Sequence, residues 1–103
     1  MSVHIDLKGK RGVIWGVANQ RSIAWAISER LAEAGAELAF TYLNERLKAP
    51  VEKATASLGN PMLLECDATD DAKVQSVYDR IQNEWGEIDF IVHCIAYADR
   101  DDL

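Results

Sequence analysis

The 103 residues, 49% of them hydrophobic, suit one small domain with one core. Lys and Arg total 11 against 17 Asp and Glu, a net charge of −6 that argues against a nucleic-acid footprint. No basic amphipathic helix or bilayer-length apolar stretch stands out, and Met1-Ser2-Val3-His4 lacks the pattern of a signal peptide, so a cytoplasmic chain with no membrane partner is expected.

Leu7-Lys8-Gly9-Lys10 reads as a turn after a polar lead-in. A short apolar run, Val13 to Trp15, then breaks at Gly16 into five small and polar residues. The chain resumes at Ser22 with Ile23, Ile27 and Leu31 at helical spacing, and Ala24, Ala26 and Ala34 fill in. That spacing predicts strand, tight turn and helix. Ser22 is suited to cap the helix, because its hydroxyl can accept a backbone N–H that the first turn leaves unpaired. Gly16 lets another backbone or a ligand come close. A helix N-terminus leaving such a turn offers free N–H groups and the positive end of a dipole to an anion.

Gly35 is placed to follow a helix ending near Ala34. Glu37 to Tyr42 reads as a second strand. Asn44 to Leu58 carries Leu47, Val51, Ala54 and Leu58 on one helical face. Pro50 is tolerated only in a first turn, so this helix is expected to start late or to be distorted early. Gly59-Asn60-Pro61 stops it, and Met62 to Cys66 is a third strand. Asp67-Ala68-Thr69-Asp70-Asp71 places negative charge at the start of the next helix, where the dipole favours it. That helix shows Val74, Val77, Tyr78, Ile81 and Trp85 on one face and ends at Gly86. Ile88 to Ile95 is a nearly unbroken apolar strand, as in parallel sheets covered on both faces.

The order βαβαβαβ predicts an α/β fold, a Rossmann-like doubly wound parallel sheet with right-handed crossovers and strand order 3-2-1-4. Ligands of such sheets bind at the carboxyl ends of the strands. Gly16 to Ser22, Tyr42-Leu43-Asn44, Cys66-Asp67-Ala68 and Cys94-Ile95-Ala96-Tyr97 are therefore expected to line one crevice. After Ala98 come only Asp99-Arg100-Asp101-Asp102-Leu103, so strand four would be a bare hydrophobic edge. The expectation is that residues 1–103 are the N-terminal part of a larger protein, or that a partner chain covers the edge.

Several residues have a plainer reading beside the functional one. Ser22 can serve as a cap and still touch a phosphate. Asp67 can cap the following helix. Asp70 and Asp71 read as solvated helix-start charges, and Trp25, Tyr78, Trp85 and Phe90 as packing residues. His93, inside strand four, reads as a core histidine rather than a base. Cys94 beside it forms no nucleophilic pair, because adjacent strand residues point to opposite faces. Cys66, Cys94 and His93 lack metal-ligand spacing, so no metal is expected. Two cysteines in apolar runs suggest a reduced setting rather than a disulfide framework.

Four separated segments resemble one family: Gly16-Val17-Ala18-Asn19-Gln20-Arg21-Ser22-Ile23-Ala24-Trp25, Gly35 to Tyr42, Cys66-Asp67, and His93-Cys94-Ile95-Ala96-Tyr97-Ala98. The chain from about Leu7 to Leu103 resembles bacterial enoyl-acyl-carrier-protein reductase, a divergent short-chain dehydrogenase/reductase. Gly16, Ser22 and Ala24 meet the family's G-x5-S-x-A loop. The resemblance implies NADH-dependent reduction of the trans-2 double bond of an enoyl chain on acyl carrier protein, in bacterial fatty acid synthesis, by a homotetramer. It further implies that Gly16 approaches the cofactor and that Ser22 and Ile23 hold the pyrophosphate. By the same resemblance Asp67 and Ala68 flank the adenine, Ile95 lies beside the ribose and nicotinamide, and Ala98 touches the substrate pocket. Leu43 stands near the adenosine ribose where many members carry a polar residue.

A leucine cannot hydrogen-bond a 2′-hydroxyl, and no acidic residue closes strand two directly. Glu45 is the nearest, and Arg46 and Lys48 leave NADPH open. Ala68 replaces a common valine, and Trp15 is bulkier than usual. The family's catalytic Tyr-x6-Lys lies beyond the equivalent of Leu103, so no catalytic residue is assigned within these 103 residues, and this segment alone is expected to be inactive. A ketoacyl-type short-chain reductase would carry TGxxxGxG and Asn-Ala-Gly, against Gly16-x5-Ser22 and Ile95-Ala96-Tyr97 here. A stand-alone nucleotide-binding module without catalysis is the other alternative. An S-adenosylmethionine enzyme would want an acid at the end of strand two, where Tyr42-Leu43 stands.

Overall fold

The computed structural model describes residues 6–59 and 61–94. The elements are β1 (Arg11–Trp15), α1 (Ile23–Glu33), β2 (Glu37–Tyr42), α2 (Glu45–Thr55), β3 (Met62–Glu65), α3 (Asp71–Trp85) and β4 (Phe90–His93), with a 3-10 turn over Ala56–Leu58. The strands pair in parallel in the order β3-β2-β1-β4, the expected arrangement. Side chains alternate across β1, so Ile14 packs with α1 and α2 while Val13 and Trp15 pack with α3. One sheet thus separates two apolar layers. Phe40, Trp25 and Val51 anchor the first; Leu64, Val77 and Ile81 anchor the second.

Ser22 caps α1 as expected, with its side chain accepting the Trp25 N–H. Its other end closes as a Schellman turn. The Gly35 N–H reaches the Ala32 carbonyl, the Ala36 N–H reaches Leu31, and Gly35 sits at φ +103°. The buried face, however, is Ala24, Trp25 and Ser28, and Ile23 is 77% exposed. The Trp25 ring packs on Phe40, with centroids 6.2 Å apart. Two residues are about 200° of helix rotation, so seating Trp25 turns Ile23 outward.

α2 starts directly after its Asn44 cap and runs through Pro50. The expected late start is therefore not what forms. Pro50 has no N–H for the Arg46 carbonyl, and the helix continues because Val51, Ala54 and Thr55 are buried against the sheet. β4 is shorter than the sequence suggested, and Ile91 and His93 are exposed along it. The His93 ring lies 6.1 Å from that of Trp15.

Candidate functional site

The strand order reverses between β1 and β4, and the carboxyl ends of β1, β2 and β3 open on a cavity of about 440 Å3. Gly16, Leu43, Asp67 and Ala68, all singled out from the sequence, line it together. Trp15, Tyr42 and Cys66 supply its walls from the last residues of the strands and the residue just beyond. Ser22 and Ile23 are not among its lining residues; they stand at the start of α1. Ile95 and Ala98, and the expected role of Ala96 and Tyr97 in the crevice, lie outside the described residues.

Gly16 has φ +107°, and a Cβ there would stand 2.9 Å from the carbonyl carbon and oxygen of Cys94. Only glycine allows the loop to leave β1 so close to the end of β4. The loop then turns into α1 through Asn19. The Asn19 carbonyl accepts the Ser22 N–H at 3.2 Å and the Ser22 hydroxyl at 2.9 Å. That hydroxyl also accepts the Trp25 N–H at 3.3 Å. The Ser22 side chain therefore serves the cap and the loop. Among the described residues, the Ile23 and Ala24 N–H groups meet no acceptor. Two open amides at the positive end of a helix dipole fit a pyrophosphate.

In the cavity itself, the Asp67 carboxylate is held by Thr69. The Thr69 hydroxyl and N–H both donate to Asp67 Oδ1, at 2.7 and 2.9 Å. The hydroxyl bond first, and the backbone bond second, hold this carboxyl below its ordinary 3.8. Capping of α3 falls to Asp70, not Asp67. Cys66 is buried, and burial, reinforced by the nearby Asp67 and Asp70 charges, pushes its thiol up. It remains a protonated wall residue rather than a nucleophile. Both described cysteines are free, and no group of three metal-ligating side chains occurs among the described residues.

Sequence reasoning missed Trp15, Thr41, Leu47 and Thr69 as lining residues. Leu47 follows Leu43 by four, so the stripe read as core also reaches the cavity. Thr69 follows Asp67 by two, the spacing at which an aspartate side chain binds its own turn.

The family model described as enoyl-(acyl carrier protein) reductase matches residues 16–103. The chain belongs to this enoyl reductase family. Enoyl-[acyl-carrier-protein] reductase [NADH] 1 of Rhizobium meliloti (strain 1021) is 52% identical over 97 residues, covering 94% of this chain. The chain spans 36% of that relative's length. A crystal structure of the Anaplasma phagocytophilum reductase in complex with NAD superposes with TM-score 0.88 at 40% identity, over 98% of this chain and 38% of that one. The Bacillus cereus reductase with NADP+ and an indole naphthyridinone gives TM-score 0.88 at 44% identity, over 95% of this chain and 39% of that one. Among enoyl reductases, this chain therefore shares both fold and sequence with proteins solved around a dinucleotide.

Proposed function

We propose that these residues supply much of the cofactor site of an enzyme that uses NADH to reduce the trans-2 double bond of enoyl-acyl carrier protein in bacterial fatty acid synthesis. The observation that carries this reading is the cavity itself, where Gly16, Leu43, Asp67 and Ala68 meet in a chain of the enoyl reductase family. Gly16 gives the cofactor close backbone approach. The Ile23 and Ala24 amides, with Ser22 shaping the turn, face the pyrophosphate. Ala68 packs against the adenine, the charged Asp67 accepts from its amino group, and Leu43 stands near the adenosine ribose. Ile95 beside the ribose and nicotinamide, and Ala98 at the substrate, complete the assignment. The dinucleotide supplies the hydride; the residues in this chain bind and orient it.

In this reading residues 1–103 belong to one dinucleotide-binding domain of a cytoplasmic homotetramer that uses no nucleic-acid or membrane partner. The acidic balance of the chain supports the first exclusion.

The test is to follow NADH absorbance when trans-2-enoyl-acyl carrier protein is added to the full-length protein. Consumption of NADH is the expected result. Consumption only with a 3-ketoacyl substrate would move the assignment to another short-chain reductase. Saturable NADH binding without turnover of either substrate would leave a binding module.

A further inference from the structure

Thr69 donates twice to a single atom. Its N–H and its hydroxyl both reach Asp67 Oδ1, and no donor among the described residues reaches Oδ2. A carboxylate offers about two acceptor positions on each oxygen. With Oδ1 doubly engaged, Oδ2 is the oxygen left to accept. Asp67 and Thr69 line the same cavity as Leu43, Leu47 and Ala68. A flat heteroaromatic ring lying on those apolar groups presents its edge to the carboxylate. An amino group at that edge donates to Oδ2, whereas a carbonyl in the same position sets one acceptor against another and leaves only the ring N1–H, displaced along the edge, to donate.

From this we infer that Thr69 is a positioning residue: by fixing Oδ1 it holds Oδ2 as the acceptor that makes the site select a 6-aminopurine over a 6-oxopurine. The inference rests on the dinucleotide reading above. It extends that reading to a residue that need not touch the ligand.

The experiment titrates NADH, and its analogue carrying hypoxanthine in place of adenine, into the full-length protein and two variants, Thr69→Val and Thr69→Ser. The Thr69 side chain is exposed, so the substitutions leave the core intact. Wild type should prefer NADH by about tenfold, the scale of one charge-assisted hydrogen bond. Thr69→Val should reduce the preference to about threefold or less, and Thr69→Ser, which keeps the hydroxyl, should restore it. A purely structural role would weaken both dinucleotides equally and leave the ratio unchanged. Wild type binding both equally, or Thr69→Val keeping the wild-type ratio, overturns the inference while NADH binding still stands. Absence of NADH binding to wild type overturns the dinucleotide reading and the inference with it.

Discussion

The two ends of the sheet handle their polar groups differently. At the amino ends of the strands they pair with one another. Arg11 binds Glu37 at 2.9 Å through Nε and the Trp85 carbonyl at 2.9 Å through Nη1, and its guanidinium lies 5.6 Å from the Trp85 ring centroid. The Arg11 N–H donates to Asp89 at 2.8 Å. One residue thus ties β1, β2, the end of α3 and the entry to β4 together. The cavity at this end is the larger, about 720 Å3, but Glu37 is taken by Arg11, and Arg80 and Glu84 pair with each other at 3.2 Å. At the carboxyl ends the cavity is smaller and lined mostly by apolar groups, Asp67 Oδ2 in its lining remains available, and so do the Ile23 and Ala24 amides at the start of α1. What separates the proposed binding site from the structural end is therefore the availability of polar groups rather than the volume of the cavity.

Substitution at Gly16 should break this contrast most severely. Gly16→Ala places a side chain at φ +107° and against the Cys94 backbone. The strain alone costs about 1–3 kcal/mol, and the backbone clash adds to it. Urea unfolding should show that loss, and NADH titration should show affinity falling by more than about tenfold.

Arg11→Ala probes the opposite end. It removes a half-exposed ion pair, a bond to a helix-end carbonyl and a cation–π contact. A stability loss of about 1–2 kcal/mol is expected after discounting for solvent. NADH affinity should stay at the wild-type value. If it fell with stability, the separation of the two ends would fail.

Ser22→Ala should cost about 1 kcal/mol through loss of the cap, and NADH affinity should fall with it because the open amides belong to the same turn. Paired unfolding and titration curves check this.

The smallest effect is electrostatic. Asp67 has a folded pKa below 3.8, so its stabilising contribution is present above 3.8 and is lost as pH falls through the lower folded value. NMR titration of the Asp67 carboxyl should show that value below 3.8 in wild type. It should move up toward 3.8 in Thr69→Val, which loses the hydroxyl bond.

The sequence carried the sheet order, because alternating short apolar strands and amphipathic helices admit few parallel arrangements. It carried Gly16, Leu43, Asp67 and Ala68 as a group because all four lie at or just beyond strand ends. The exposure of Ile23 was not legible: Leu31 of the expected stripe does pack against the core, as does Trp25, and the seating of Trp25 against Phe40 is what turns Ile23 outward. Pro50 misled for a related reason, since burial of Val51 and Ala54 outweighs one lost helical hydrogen bond. His93 was placed in the core because its strand is apolar, yet its side chain is exposed along β4. Thr69 was passed over because its contribution is a hydrogen bond to a neighbour, which no hydrophobic pattern reports.

The most direct measurement is a crystal structure of the full-length protein with NADH. The account predicts the adenine against Ala68, its amino group within hydrogen-bond distance of Asp67 Oδ2, the adenosine ribose near Leu43, and the pyrophosphate at the Ile23 and Ala24 amides. Density for the dinucleotide at the amino ends of the strands, in the cavity beside Glu37 and Arg80, would contradict it.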